Sequence, residues 1–127
     1  MIVLDASVII AHLDGQDAHH RRATAVLAGA VAEGFGVSPL TLAEVLVGPA
    51  RAGRLPAALA AVDAIGIDVV ALTADAPTQL AFLRAHSRLR LPDCCVLLAA
   101  RTAHAPMATF DERLAAAARD LGVPVVD

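Results

Sequence analysis

Short β-branched runs alternate with longer Ala- and Leu-rich segments along this whole chain, and that rhythm restricts its fold more than any other feature. Parallel strands need a crossover between them, and a helix is the usual crossover, so the alternation predicts an α/β domain with a parallel sheet. Strands are expected at residues 2–4, 35–37, 67–72, 106–109 and 123–126. Helices are expected at 6–13, at 19–32 with apolar residues spaced for an amphipathic face, at 55–65, from Thr73 or Asp75 to 86, at 92–103 and at 111–121. Ser38-Pro39 reads as a further helix start, Ser capping and Pro in the first turn, with the helix running through Glu44 to Val47 before Gly48-Pro49 interrupts it.

The 127 residues make one domain, 1–127, large enough to bury about two-thirds of its unfolded surface. Although 57% of the residues are hydrophobic, no apolar run approaches the roughly 18 residues of a membrane span. Met1 leads directly into a strand, without the basic and apolar segments of a secretory signal, so a soluble, cytoplasmic protein is expected. Cys94 and Cys95 are adjacent and sit in an apolar stretch, which suits core packing better than a disulfide or zinc. All ten basic residues are Arg, which excludes chemistry that needs a lysine. A net charge of −3 gives no global attraction for nucleic acid.

Four acids stand where acids are unusual. Asp5 ends the first strand and precedes an apolar helix, a position where open α/β sheets bind ligands, although an N-cap also explains it. Glu44 lies in Leu40-Thr41-Leu42-Ala43-Glu44-Val45-Leu46-Val47, a segment apolar in nearly every helical direction, so it is expected to be buried. Asp93 opens an apolar helix and Asp111 follows the fourth strand; each also suits a cap. Glu112 reads as ordinary compensation of the helix dipole. Carboxylates gathered in one crevice repel, and a hard divalent ion, Mg²⁺ or Mn²⁺, is the natural partner of an all-oxygen set. Such a site hydrolyses phosphodiesters. Ser7 and Thr109, each two residues from an acid, are candidates to orient a carboxylate.

These residues resemble the PIN-domain nucleases. Asp5-Ala6-Ser7 is similar to their D-x-S opening, Thr41 to Gly48 to the helix with the single Glu, Leu91-Pro92-Asp93-Cys94 to the third acid, and Thr109-Phe110-Asp111 to their T-x-D element. The similarity spans the chain and is nearest to the VapC-type toxins of toxin–antitoxin pairs. The resemblance implies a three-layer α/β/α fold with four or five parallel strands in order 3-2-1-4-5. It also implies a homodimer, Mg²⁺-dependent endonucleolytic cleavage of RNA, and neutralisation by a VapB-type antitoxin. A fifth acid found in some relatives is not clearly matched, since Glu112 adjoins Asp111 directly.

Between Arg84 and Arg101 four Arg face one acid, and Arg88 and Arg90, in the loop before Asp93, are the expected RNA phosphate contacts. With no Trp or Tyr and three Phe, stacking of bases on aromatic platforms is not expected. The five His read as structural or surface residues. A phosphoacceptor receiver would need a lysine, and a haloacid-dehalogenase-type phosphatase would need an acid where Ser7 stands. An RNA-processing PIN nuclease without antitoxin, or a PIN-like binding module, are the remaining alternatives.

Overall fold

The computed structural model describes residues 1–126; Asp127, the end of the expected domain, lies outside the described residues. β1 (Ile2–Leu4), β2 (Phe35–Val37), β3 (Ile67–Val69), β4 (Met107–Ala108) and β5 (Val125–Val126) form a five-stranded sheet in the order β3-β2-β1-β4-β5. Every pairing is parallel, with Ile2 opposite Phe35, Val3 opposite Met107 and Met107 opposite Val125. The chain builds outward from β1 through β2 to β3, then returns to the other side of β1 as β4. That reversal opens a crevice beyond the carboxyl ends of β1 and β4.

Among the described residues seven α-helices cover the sheet: α1 (Ala6–Leu13), α2 (His20–Gly29), α3 (Pro39–Arg51), α4 (Leu55–Ile65), α5 (Ala76–Ala85), α6 (Leu91–Thr102) and α7 (Glu112–Asp120). Side chains of β1 alternate between two cores, as a strand dictates. Ile2 and Leu4 pack with Val8, Ile9, Ala23, Leu27 and Val45 from α1, α2 and α3. Val3 packs on the other face with Leu83, Cys94, Leu97, Leu114 and Ala118 from α5, α6 and α7. The result is the expected three-layer α/β/α arrangement. α6 is buried at every position from Cys94 to Ala100, and burial raises both thiols above their usual pKa, so the cysteines are core residues. No helix among the described residues is long and apolar enough to cross a membrane.

Several boundaries differ from the sequence expectation. β3 is three residues long rather than six, because its only neighbour, β2, gives way to α3 after Val37; Val70 N–H donates to the Val37 carbonyl and pairing then stops. α2 ends at Gly29, and Val31–Glu33 winds as a 3₁₀ turn. α3 continues through Gly48-Pro49 to Arg51: Pro49 removes one donor, but Ala52 N–H bonds Gly48 O and Arg54 N–H bonds Pro49 O beyond it. Ser38 takes the cap position of α3 without bonding its amides, and its buried hydroxyl lies beside the Cys95 thiol instead.

Candidate active site

Two acids come from the ends of the central strands. Asp5 directly follows β1 at the N-cap position of α1, yet its side chain bonds none of the helix amides. Its Oδ2 accepts instead from Ser7 Oγ at 2.7 Å and from Thr109 Oγ1 at 2.8 Å. Each hydroxyl then accepts a backbone N–H: Phe110 donates to Ser7 Oγ at 3.2 Å and Asp111 donates to Thr109 Oγ1 at 3.0 Å. The ends of β1 and β4 are thus locked together around one carboxylate. Asp111 does act as a cap: its Oδ1 accepts from Arg113 N–H at 2.9 Å and Leu114 N–H at 3.3 Å.

The other two acids come from helices on opposite layers. Glu44 does not lie inside a helix buried all round, as its apolar neighbours predict. α3 turns Thr41 and Val45 to the core, while Leu40, Ala43, Glu44 and Val47 are exposed. Apolar composition is a one-way guide to burial, and here it misleads. Asp93 is the third residue of α6, not its cap; Arg90 holds the cap position. Asp93 Oδ2 is sealed from solvent without a hydrogen-bond partner.

Electrostatics join these groups. Burial pushes the Asp93 carboxyl above the usual range; Asp111 and Asp5 push the same way, and the Arg90 amide and guanidinium oppose them. Glu44 is raised by loss of hydration, then by Asp5 and Asp93, again against Arg90. Asp93 therefore feels both strand-end acids, and Glu44 feels Asp5 and Asp93. Among the described residues, no three His, Cys, Asp or Glu side chains form a group able to hold a metal ion as they stand. The donor chemistry nevertheless fits a hard divalent cation: oxygen ligands only, excess negative charge, and a carboxylate oxygen lacking any partner.

Of the two expected RNA contacts, Arg90 lies within electrostatic reach of Glu44 and Asp93. Arg88 instead lines a 380 Å³ groove with Phe82, His86 and Arg113, whose lining includes none of the four acids. Ser7 and Thr109 sit as expected, on Asp5. The sequence reading passed over Phe110. Between Thr109 and Asp111, its ring lies 4.8 Å below the Arg22 guanidinium and 4.9 Å from the His19 ring. A lone Phe inside a motif bearing an acid was the available signal.

The PIN domain family model matches residues 2–120. Among solved structures, a toxin–antitoxin complex from Klebsiella pneumoniae is similar at 21% identity and TM-score 0.75, over 100% of this chain and 97% of that one. VapC20 of Mycobacterium tuberculosis, described as a sarcin-ricin loop cleaving toxin, aligns at 23% identity and TM-score 0.77, over 92% and 95% of the two chains. FitAcB of Neisseria gonorrhoeae aligns at 22% identity and TM-score 0.73, over 100% and 97%. No curated protein sequence matches the chain.

Proposed function

This chain belongs to the PIN-domain family, and we propose that it is a single-domain, Mg²⁺-dependent endoribonuclease, the VapC-type toxin of a type II toxin–antitoxin pair. The observation that carries the reading is Asp93: a carboxylate with one sealed, partnerless oxygen, in the field of two strand-end acids. A sealed carboxylate oxygen without a partner is costly, and a cation would complete it.

Asp5, Glu44, Asp93 and Asp111 would hold the ion, with Mn²⁺ as a substitute. When bound, it supplies charge stabilisation at phosphorus and a water acidic enough for in-line attack. The remaining work falls to the chain. Ser7 and Thr109 fix one oxygen of Asp5, so its other oxygen keeps a set direction. Thr109 also anchors the backbone of Asp111. Arg90 presents a guanidinium suited to a phosphate on the α6 side of the crevice, and Arg88 extends that side.

A VapB-type antitoxin partner is supported by the Klebsiella neighbour, itself a toxin–antitoxin complex, and RNA as substrate by the loop-cleaving neighbour. A cytoplasmic homodimer fits the large apolar side chains left exposed, including Phe82 at 55% and Leu91 at 49%. The deciding experiment is a cleavage map on total cellular RNA. Cuts are expected with Mg²⁺, not with chelator, and not with Asp5→Asn. Full activity in chelator or in Asp5→Asn overturns the proposal.

A further inference from the structure

We infer that Arg22, held with His19 against the ring of Phe110, forms a second RNA backbone contact that faces Arg90 across the acids, so that the strand is gripped from both helical layers. The inference rests on the ribonuclease reading and adds a residue set to that site.

Phe110 is tied to the acids through its backbone: its N–H donates to Ser7 Oγ, whose hydroxyl donates to Asp5. Its ring is half-buried, while Arg22 and His19 are exposed. An Arg guanidinium stacked on an aromatic face keeps its edge donors available, because stacking uses the face of the guanidinium only. The approach to α2 is pinned as well: His20 Nδ1 lies 2.8 Å from the Ala11 carbonyl oxygen and His12 Nδ1 3.0 Å from Thr24 Oγ1. Arg21 and Arg22 place two positive charges side by side in the first turn of α2. α2 packs in the layer with α1 and α3, whereas Arg90 belongs to the layer with α6. Asp5 and Asp111 follow strands of the sheet between those layers, and Glu44 and Asp93 extend from one layer each. An acidic crevice repels phosphate, so cations on both sides are what a polyanion requires to lie across it.

Here Arg22 is the contact and Phe110 a positioning residue. The test is binding of a fluorescein-labelled, random-sequence 20-nucleotide RNA in chelator, by anisotropy across a salt series, with a thermal melt of every variant. Arg22→Glu is expected to weaken binding about fivefold or more at 0.1 M salt and to reduce the salt slope by about 0.7, the value for one phosphate contact on a single strand. Arg22→Lys restores the slope. Phe110→Leu weakens binding in the wild-type background and adds nothing in Arg22→Glu, a coupling that a purely structural Phe110 does not produce. Arg54→Glu, at the residue preceding α4, serves as a charge-matched control and leaves binding unchanged. If Arg22→Glu matches the wild type in affinity and slope, or falls no further than Arg54→Glu, the inference is overturned while the nuclease reading stands. If the wild type neither binds nor cuts RNA, the nuclease reading itself has failed.

Discussion

The β1–α1 and β4–α7 junctions both run from a short buried strand through an Asp into a helix, Asp5 directly and Asp111 after Thr109 and Phe110, yet they use the Asp differently. Asp111 caps its helix through Oδ1. Asp5 leaves its helix uncapped and is held by two hydroxyls, one of them 104 residues away in the chain. A carboxylate serving its own helix is a local device, whereas one fixed by another strand's side chain is aimed by the fold. The comparison teaches that Asp5 is held by the meeting of two strands, whereas Asp111 is held by its own helix.

The largest effect separating these roles lies in activity. Asp5→Asn, Glu44→Gln, Asp93→Asn and Asp111→Asn should each reduce Mg²⁺-dependent RNA cleavage by about two orders of magnitude or more without unfolding the protein. Turnover on one labelled RNA checks this. A variant of either junction acid with normal turnover breaks the shared-site reading.

Next in size is the response to metal. At about one hundred times the dissociation constant, Mg²⁺ should stabilise the wild type by roughly 2.7 kcal/mol through binding the native state. Asp93→Asn should gain much less, and its metal-free form should be as stable as the wild type or more so, since a repelling charge is gone. Thermal melts at constant ionic strength decide it; equal Mg²⁺ stabilisation of both proteins would detach Asp93 from the site.

The cap itself gives a smaller, purely structural contrast. Asp111→Ala should cost about 1 kcal/mol of metal-free stability relative to Asp111→Asn, because Asn keeps the cap and Ala does not. Asp5→Ala and Asp5→Asn should differ without any cap contribution, since Asp5 bonds no helix amide. Their difference comes through the two hydroxyls of Ser7 and Thr109, from which Asn can still accept and Ala cannot, so Ser7→Ala should shrink it and leave the Asp111 one unchanged. Denaturant melts of the four variants, with and without Ser7→Ala, measure it.

The smallest expected effect is with pH. The folded state binds protons on Glu44 and Asp93 more tightly than the unfolded chain, where their ordinary values are 4.5 and 3.8. Metal-free stability from these groups is therefore lowest when both are ionised, and rises as pH falls from above the raised folded values toward the ordinary ones. Glu44→Gln should flatten its share of that rise, whereas an unchanged profile would place Glu44 outside the acid cluster.

Much of this was legible in the chain. Strand and helix order followed from hydrophobic period, and the buried central strands and α6 carry nearly unbroken apolar runs because both faces are covered. Asp5, Asp93 and Asp111 were conspicuous because acids seldom border such runs. Ser7 and Thr109 could be chosen by their distance from an acid. The length of β3 was not legible, since it depends on where β2 stops offering partners. Nor was the exposure of Glu44, because Ala, Leu and Val can line a helix whether or not anything covers it.

Sequence alone therefore determined the class of fold, the elements that carry the acids and the residue types at the site, because period and composition are local properties. Tertiary structure decided which oxygen of Asp5 is fixed, that one oxygen of Asp93 lacks a partner, that Arg90 rather than Arg88 bears on the acids, and that Phe110 meets Arg22. Each depends on side chains from distant segments meeting at one sheet end, and such meetings are set by strand order and packing, which no window along the chain contains.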